Sequence, residues 1–300
     1  MKTIQKNLGL AALALFSAVV MTACDTNKEP ELPPIGGFNS ADDVAAANLV
    51  AYWSFDGDAR EVKSNIAPEQ STNASFTTGA KGQAVSLAAG FLRYPTIPGL
   101  NTANGLGSFT VSAWVNMRNV EGKATSIFAL NEARNAAPDW GQMINLMAET
   151  ASFKPSSDTL VVKGVLGQYA SGTREGHDNL NNFGVVGTDY QIVKGAGKWT
   201  QVVMKYDAAT STIDLYANGV LVSNKNFRVR KNGALGPLVF PLNSTVLIGA
   251  FANQQTGYPN SSTQVWQNLF TGQIDEIRVF NRALSDGDIS SLFQLESAGR

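Results

Sequence analysis

The clearest local signal in the sequence is the run Ile213-Asp-Leu-Tyr-Ala-Asn-Gly-Val-Leu-Val222. Asn218 and Gly219 both tolerate a positive φ, which a type I′ turn requires at its two central positions. We therefore expect a two-residue β-hairpin that pairs Ala217 with Val220 and Tyr216 with Leu221. One face of this hairpin is entirely apolar and is predicted to face the core: Ile213, Leu215, Ala217, Val220 and Val222.

Further segments on both sides of this hairpin have strand chemistry, with β-branched or aromatic residues bounded by turn residues. They are Leu49–Phe55, Ser108–Val115, Thr125–Leu130, Gln142–Met147, Thr159–Leu166, Trp199–Tyr206, Thr245–Phe251 and Ile274–Phe280. One good helix start is present, where Ser285 can cap and Asp288 follows three residues later. The pattern predicts an all-β protein, a two-sheet antiparallel sandwich with a short C-terminal helix.

The composition removes several classes of function. The chain has 300 residues, 16% of them charged, and a formal net charge of -1. No basic surplus exists to neutralise phosphates, so nucleic acid is not an expected partner. One Cys and one His cannot build a zinc site from these residue types alone. The His is His177, which lies in a predicted loop without the partners of a catalytic base.

The N-terminus is predicted to direct export. Lys2 and Lys6 precede an uncharged run that continues to Ala23, too short to span a bilayer comfortably but typical of a signal peptide. The segment Val20-Met-Thr-Ala-Cys24 resembles a bacterial lipobox, which implies removal of residues 1–23 and lipidation of Cys24. We expect the acyl chains to anchor the protein to a membrane.

The residues that follow Cys24 have the composition of a flexible tether. Asp25-Thr-Asn-Lys-Glu-Pro-Glu-Leu-Pro-Pro-Ile-Gly-Gly37 contains three Pro, two Gly and several acids without an apolar period. We therefore predict a flexible segment over residues 24–47. Its acidic start resembles surface-export signals of Bacteroidetes-type lipoproteins, which implies a lipid-anchored protein of the outer membrane or cell surface.

The remainder, residues 48–300, is predicted to be one domain, and it resembles the laminin-G-like, concanavalin A-type jelly rolls. Four motifs in family order carry the resemblance: Leu49-Val-Ala-Tyr-Trp-Ser-Phe-Asp-Gly57, Phe109-Thr-Val-Ser-Ala-Trp114, Trp199–Asp207 with its Asn-Gly hairpin, and Phe270–Ser285. The resemblance implies a jelly-roll fold and places Trp53, Trp114 and Trp199 in packing positions. Residues 131–197 are longer and more irregular than such a core requires.

Catalysis is not predicted. Retaining glycosidases hold two carboxyls about 5–5.5 Å apart, and the related glucanases carry such acids on one face of a strand. Here Asp275 and Glu276 are adjacent and should point to opposite faces, while position 273 is Gln. A glycoside hydrolase or polysaccharide lyase stays open as an alternative, because several loop acids could converge in space: Glu132, Asp139, Glu149, Glu175, Asp178 and Asp189.

Two binding hypotheses remain. Asp56 and Asp58 follow the first strand and Asp275 begins the last, and the resemblance implies a structural calcium near such acids. Among loop residues rich in Asn, Gln and Ser, four aromatic side chains are the candidates for stacking on a sugar: Trp140, Tyr169, Tyr258 and Trp266. We therefore predict a non-catalytic carbohydrate-binding domain, with a protein-interaction or structural module as a further alternative.

Overall fold

The computed structural model describes residues 32–136, 142–149, 153–169 and 173–300. Residues Pro34–Arg300 form one compact unit. The predicted signal peptide, the predicted lipidation site Cys24 and the candidate Trp140 lie outside the described residues.

Fourteen strands and one α-helix are present in the described part of the chain. The strands are β1 Leu49–Trp53, β2 Gln70–Thr78, β3 Gln83–Tyr94, β4 Phe109–Met117, β5 Ala124–Asn131, β6 Gln142–Glu149, β7 Val162–Gln168, β8 Glu175–Leu180, β9 Thr200–Asp207, β10 Thr212–Ala217, β11 Val220–Leu221, β12 Thr245–Ile248, β13 Gln267–Asn268 and β14 Phe270–Phe280; the helix is α1 Asp286–Ser297. Short 3₁₀ turns occupy Ala41–Asp43, Ala46–Asn48, Pro98–Leu100, Lys225–Phe227, Lys231–Gly233 and Gln254–Thr256.

The strands form one continuous sheet that curls into two packed layers. Its order is β11-β10-β9-β4-β14-β3-β12-β5-β6-β7-β8, with β1, β2 and β13 attached at its sides. Pairing is antiparallel except between β13 and β5. A single buried cluster takes residues from both layers, among them Trp53, Phe128 and Leu215. The predicted all-β, two-sheet antiparallel sandwich of the jelly-roll type is confirmed.

The predicted hairpin forms in the expected register but is placed differently against the core. Tyr216 pairs with Leu221 and Ala217 with Val220, and the turn residues have φ values of 50° and 75°. Val220 was predicted to face the core and is instead 60% exposed. The reason is that β11 is the last strand of the sheet order, so no second layer covers its first residue.

Residues 34–47 are not the flexible tether that their Pro and Gly content predicts. Ala41 and Val44 are buried, and Ile35 and Phe38 pack in the same cluster against Leu292 of α1. The apolar residues of this segment cover the outer face of the sheet together with the helix, which offsets the entropy of ordering them. The folded unit therefore begins at Pro34 rather than at residue 48.

Helix α1 begins where the sequence predicts. The Ser285 hydroxyl accepts a hydrogen bond from the backbone N–H of Asp288 at 3.0 Å, and the Asp288 carboxylate accepts one from the N–H of Ser285 at 3.4 Å. This reciprocal pair satisfies two donors of the first turn. The helix is thereby fixed over the outer face of the sheet, where Ile289 and Leu292 are buried.

A charged cluster lies buried beneath α1, and sequence analysis gave no sign of it. Arg278 donates hydrogen bonds to Glu276 at 2.8 Å, to Glu296 at 2.9 Å and to Asp42 at 2.8 Å. Burial alone would lower the pKa of Arg278, but the surrounding negative charges, Glu296 first, raise it above its ordinary value. The guanidinium therefore stays charged and joins β14, α1 and the segment around Asp42.

Candidate functional site

A concave feature lies at one end of the sandwich, where three connections meet. It is a pocket of about 560 Å³, here termed the rim pocket. The β5–β6 and β7–β8 connections and the segment before β12 each contribute to its lining: Glu132, Ala136, Tyr169, Thr173, Arg174, Val239, Phe240 and Pro241. Loops supported by a rigid sheet are the usual location of binding residues in such folds.

The rim pocket combines an aromatic wall with hydrogen-bond donors and acceptors. The Tyr169 hydroxyl donates to Glu132 Oε1 at 2.8 Å, and its ring meets Phe240 edge-on at 6.4 Å. Burial first, and the bond to Glu132, raise the pKa of Tyr169, so its hydroxyl stays protonated. Arg174 Nε donates to the Gln142 carbonyl oxygen at 3.0 Å. No carboxylate among the described residues lies within ion-pair distance of Arg174.

A second concave feature lies on the outer face of β5–β7. This cavity, of about 270 Å³ and here termed the Trp266 groove, has a largely apolar lining: Ala124, Gln142, Met147, Glu149, Lys163, Val165, Phe251 and Trp266. The indole ring of Trp266 stands at 81° to the buried ring of Phe251, with centroids 5.1 Å apart. This edge-to-face contact holds the partly exposed indole in place beside the groove.

The groove and the rim pocket are neighbours because Gln142 belongs to both. Its side chain lines the groove, and its backbone carbonyl accepts the hydrogen bond from Arg174 of the rim pocket. Strand β6 begins at Gln142 and carries the groove residues Met147 and Glu149 further along. Gln142 thus lines the groove and also holds Arg174 of the rim pocket in place.

Two loop acids do converge, but around a lysine. Lys163 Nζ lies 2.9 Å from Glu149 Oε2 and 3.2 Å from Asp178 Oδ2. Both distances run to one atom, so the two carboxylate oxygens are no more than about 6 Å apart. Burial lowers the pKa of Lys163, yet the bonds and charges of Glu149 and Asp178 outweigh burial and raise it.

This cation decides what the pair can do chemically. Glycoside hydrolysis requires one protonated carboxyl as the acid and one free carboxylate as the nucleophile or base. Here both carboxylates are ion-paired with the same Lys163 ammonium group. This arrangement is suited to orienting hydroxyl groups.

The structure separates the four aromatic candidates. Tyr169 lines the rim pocket and Trp266 lines the groove, while Trp140 lies outside the described residues. Tyr258 is fully buried, and its hydroxyl shares a 2.8 Å hydrogen bond with the Thr245 hydroxyl. Gly257, with a φ of 89°, turns the chain so that this ring enters the cluster of Phe91 and Leu247. Tyr258 has no face to offer a sugar.

Only two of the three predicted calcium acids, Asp56 and Asp275, lie at the same turn. Asp56 Oδ1 accepts from the Gln83 N–H at 2.8 Å and Asp275 Oδ2 from the Lys81 N–H at 3.0 Å, so both hold the β2–β3 turn. Asp58 instead bonds to the N–H of Arg60 at 3.0 Å. Within the described ranges no group of three or more His, Cys, Asp or Glu side chains is placed to hold a metal.

Burial also changes the protonation of Asp275. Burial, with a smaller contribution from Glu276, raises the pKa of Asp275 to about 8 although backbone N–H groups oppose the shift. Together Asp56 and Asp275 stabilise the β2–β3 turn.

The shifted pKa makes a prediction about stability. The folded state binds the Asp275 proton more tightly than the unfolded chain does, so this group stabilises the fold most at low pH. Its contribution declines as pH rises from about 3.8 to about 8, by up to about 1.4 kcal/mol per pH unit. Urea unfolding gives the free energy of unfolding of the wild type and of Asp275→Asn at several pH values in this window. The difference between the two free energies should change with pH by that slope. Asp58→Asn, at an exposed position, serves as the control. If the free energies of unfolding of the wild type and Asp275→Asn had the same pH dependence, the raised pKa of Asp275 would be contradicted.

Sequence reasoning missed much of what lines these two features. It named Glu132, Glu149 and Asp178 as loop acids that could converge, and the last two do so. It did not identify Lys163, Arg174 or Phe240. Only Lys163 could have been found from the sequence, because it is the single charged residue of the strand Val162–Gln168. Arg174 and Phe240 belong to connections that are far apart in sequence and meet only in the folded chain.

No helix in the described ranges has the length and apolarity to cross a bilayer.

Comparison with known proteins identifies the family of the fold. The sequence model described as the Concanavalin A-like lectin/glucanases superfamily matches residues 93–290, about two thirds of the chain. No curated protein matches the sequence.

Several solved structures resemble the chain at low sequence identity. Domain 4 of AbnA, an extracellular arabinanase from Geobacillus stearothermophilus solved with arabinotriose, has a TM-score of 0.49 at 20% identity, covering 82% of this chain and 98% of that domain. The binding domain of Paraclostridial Mosquitocidal Protein 1 has a TM-score of 0.53 at 14% identity, covering 82% of this chain. The ligand binding domain of Botulinum neurotoxin serotype D, solved with N-acetylneuraminic acid, has a TM-score of 0.52 at 14% identity, covering 85%. The chain spans about half the length of these two toxin domains, 52% in each case.

Proposed function

The chain belongs to the concanavalin A-like lectin/glucanases superfamily. We propose that it is a membrane-anchored lipoprotein that binds a glycan without cleaving it. The observation that carries the proposal is the rim pocket, in which Tyr169 and Phe240 form a wall beside Glu132 and Arg174. Concave sites that join aromatic walls to a few fixed polar groups are typical of small-molecule binding.

Each part of the rim pocket matches a part of a sugar. A sugar ring has apolar C–H faces that pack on an aromatic ring, and hydroxyl groups that both donate and accept hydrogen bonds. Glu132 supplies an acceptor and Arg174 supplies donors, while Tyr169 is held in position by its bond to Glu132. Because the pocket contains one charge of each sign, it suits a neutral or weakly charged sugar.

The Trp266 groove adds a second contact for the same ligand. Its partly exposed indole offers another stacking face, and Gln142 connects it to the rim pocket. The fold also occurs in a neurotoxin ligand binding domain that was solved with N-acetylneuraminic acid and of which this chain covers 52%.

The membrane part of the proposal rests on the N-terminal sequence. Lys2 and Lys6, the uncharged run after them and the lipobox-like end at Cys24 support lipidation of that cysteine. Acyl chains would then anchor the protein, and the acidic residues after Cys24 favour the outer membrane or cell surface as its location. Mass spectrometry of the protein purified from membranes tests this directly.

Glycan binding is tested on a glycan array followed by calorimetry with the best ligand. Tyr169→Ala and Trp266→Ala should each weaken binding by about tenfold, the effect of losing an aromatic contact worth about 1.5 kcal/mol. Tyr169→Phe, which keeps the ring but loses the bond to Glu132, should lose less. Tyr190→Ala removes a half-buried ring away from both sites and should bind as the wild type does. Equal affinity for all four variants, or no binding on the array, would refute the proposal.

A further inference from the structure

The exposed apolar side chains of this protein are concentrated on one edge. Twelve large apolar residues are exposed within the described ranges, and seven of them lie around β11 and the segments after β8 and β11. This surface, here termed the apolar edge, consists of Phe183, Val185, Val186, Ile192, Val220, Phe227 and Val229. Soluble proteins rarely leave so many neighbouring apolar side chains exposed without a partner.

Contacts join several members of the apolar edge. The rings of Phe183 and Phe227 lie 5.1 Å apart. Ile192 and Val220 border the same cavity of about 430 Å³. The Gln191 N–H donates to the Val222 carbonyl at 3.0 Å, which ties the segment before β9 to the edge strand.

The folded unit begins on the same side of the molecule. Ile35 packs in one cluster with Leu221, the neighbour of exposed Val220, and with Leu292 of α1. Gly36 lies so close to the helix that a Cβ there would be 2.0 Å from the Ser291 hydroxyl. Nine residues separate Cys24 from Pro34, a span of at most about 35 Å when fully extended. A lipid on Cys24 would therefore keep Pro34, on this side of the domain, within about 35 Å of a bilayer.

We propose that the apolar edge rests on the bilayer surface, an inference that depends on the proposed lipidation of Cys24. Its aliphatic and aromatic side chains would enter the boundary between headgroups and acyl chains, as the apolar faces of interfacial segments do. The partner is thus a lipid surface.

This orientation leaves the rim pocket accessible. Strand β8 runs from Glu175, next to Arg174 of the rim pocket, to Leu180, close to Phe183 of the apolar edge. Its six residues span about 20 Å. With Phe183 at the bilayer, Arg174 is directed away from it, so that a glycan outside the membrane can reach the pocket.

The test uses full-length, lipidated protein reconstituted in vesicles of phosphatidylethanolamine and phosphatidylglycerol. Cys24 is the only cysteine of the chain, so after lipidation a new cysteine can be labelled selectively with an environment-sensitive fluorophore. Val185→Cys places the label on the apolar edge. Leu242→Cys is the matched control, since Leu242 is 53% exposed against 62% for Val185 and follows Pro241 of the rim pocket.

We expect the label at position 185 to shift to the blue and to be quenched several-fold more by nitroxide lipids than the label at 242. Equal quenching of the two labels would overturn the inference while leaving the anchor intact. Shielding at 185 that depends on protein concentration and not on nitroxide lipids would instead assign the edge to a second copy and would also overturn it. Absence of lipid on Cys24 by mass spectrometry would refute the anchor and the inference together, without affecting the glycan test.

Discussion

Replacing Arg278 with alanine is expected to lower the free energy of unfolding by about 3–5 kcal/mol, because removing one partner of a buried ion pair leaves the other charge uncompensated. Here two fully buried carboxylates, Glu276 and Glu296, would lose the guanidinium that bonds them. Glu296 would keep only its hydrogen bonds from Trp114 Nε1 at 2.6 Å and Gln201 Nε2 at 3.1 Å. Denaturant unfolding followed by circular dichroism measures the loss.

The matched control for this variant is an exposed ion pair. Lys194 Nζ lies 2.7 Å from Asp158, and more than half of each side chain is exposed. Lys194→Ala should therefore change stability by less than about 1 kcal/mol. If Arg278→Ala and Lys194→Ala had equal effects, the cluster beneath α1 would not be the junction that the structure shows.

Trp53→Ala is the second large effect, a loss of about 3–5 kcal/mol of stability, because removing a buried indole leaves a cavity that a β-sandwich fills poorly. Trp53 lies fully buried between the two layers, with ring centroids 5.6 Å from Tyr94 and 5.8 Å from Phe128. Trp266→Ala removes the same side chain from a partly exposed position and should cost much less stability. Equal losses of stability in the two variants would contradict the packing described for Trp53.

The fold could be predicted from sequence wherever a strand alternates or a turn demands particular residues. The Asn218-Gly219 turn fixed the register of its hairpin, and the cap at Ser285 marked the start of α1. Strand β2, Gln70–Thr78, was missed because it is polar and mostly exposed at the side of the sheet, where packing against β3 defines it and side-chain pattern does not. Strand β8, Glu175–Leu180, was missed for the same reason.

The site was less predictable, since it depends on contacts between distant segments. The sequence identified Tyr169 and Trp266 as aromatic residues in polar loops, but only the folded chain shows that one lines the rim pocket and the other the groove. The same loop composition around Tyr258 surrounds a ring that is fully buried. Local composition marks a loop, and burial depends on which part of the sheet the loop covers.

The prediction of a flexible tether over residues 24–47 was wrong for residues 34–47. The Pro and Gly content of this segment predicted flexibility up to residue 47, yet Ala41 and Val44 are buried against the sheet and the helix. The Ala41 N–H also donates to the carbonyl of Arg300 at 3.3 Å, which joins the two ends of the folded unit. A few apolar residues at suitable spacing were enough to outweigh the turn-forming composition around them.

The central claim, that the chain binds a glycan without cleaving it, is tested by measuring binding and product release on one polysaccharide. Saturable binding by the wild type with no new reducing ends and no unsaturated products is the predicted result, and Glu149→Gln should likewise release no products. New chain ends that disappear in Glu149→Gln or Asp178→Asn would show that the carboxylates around Lys163 act as a catalytic pair, and would contradict the account.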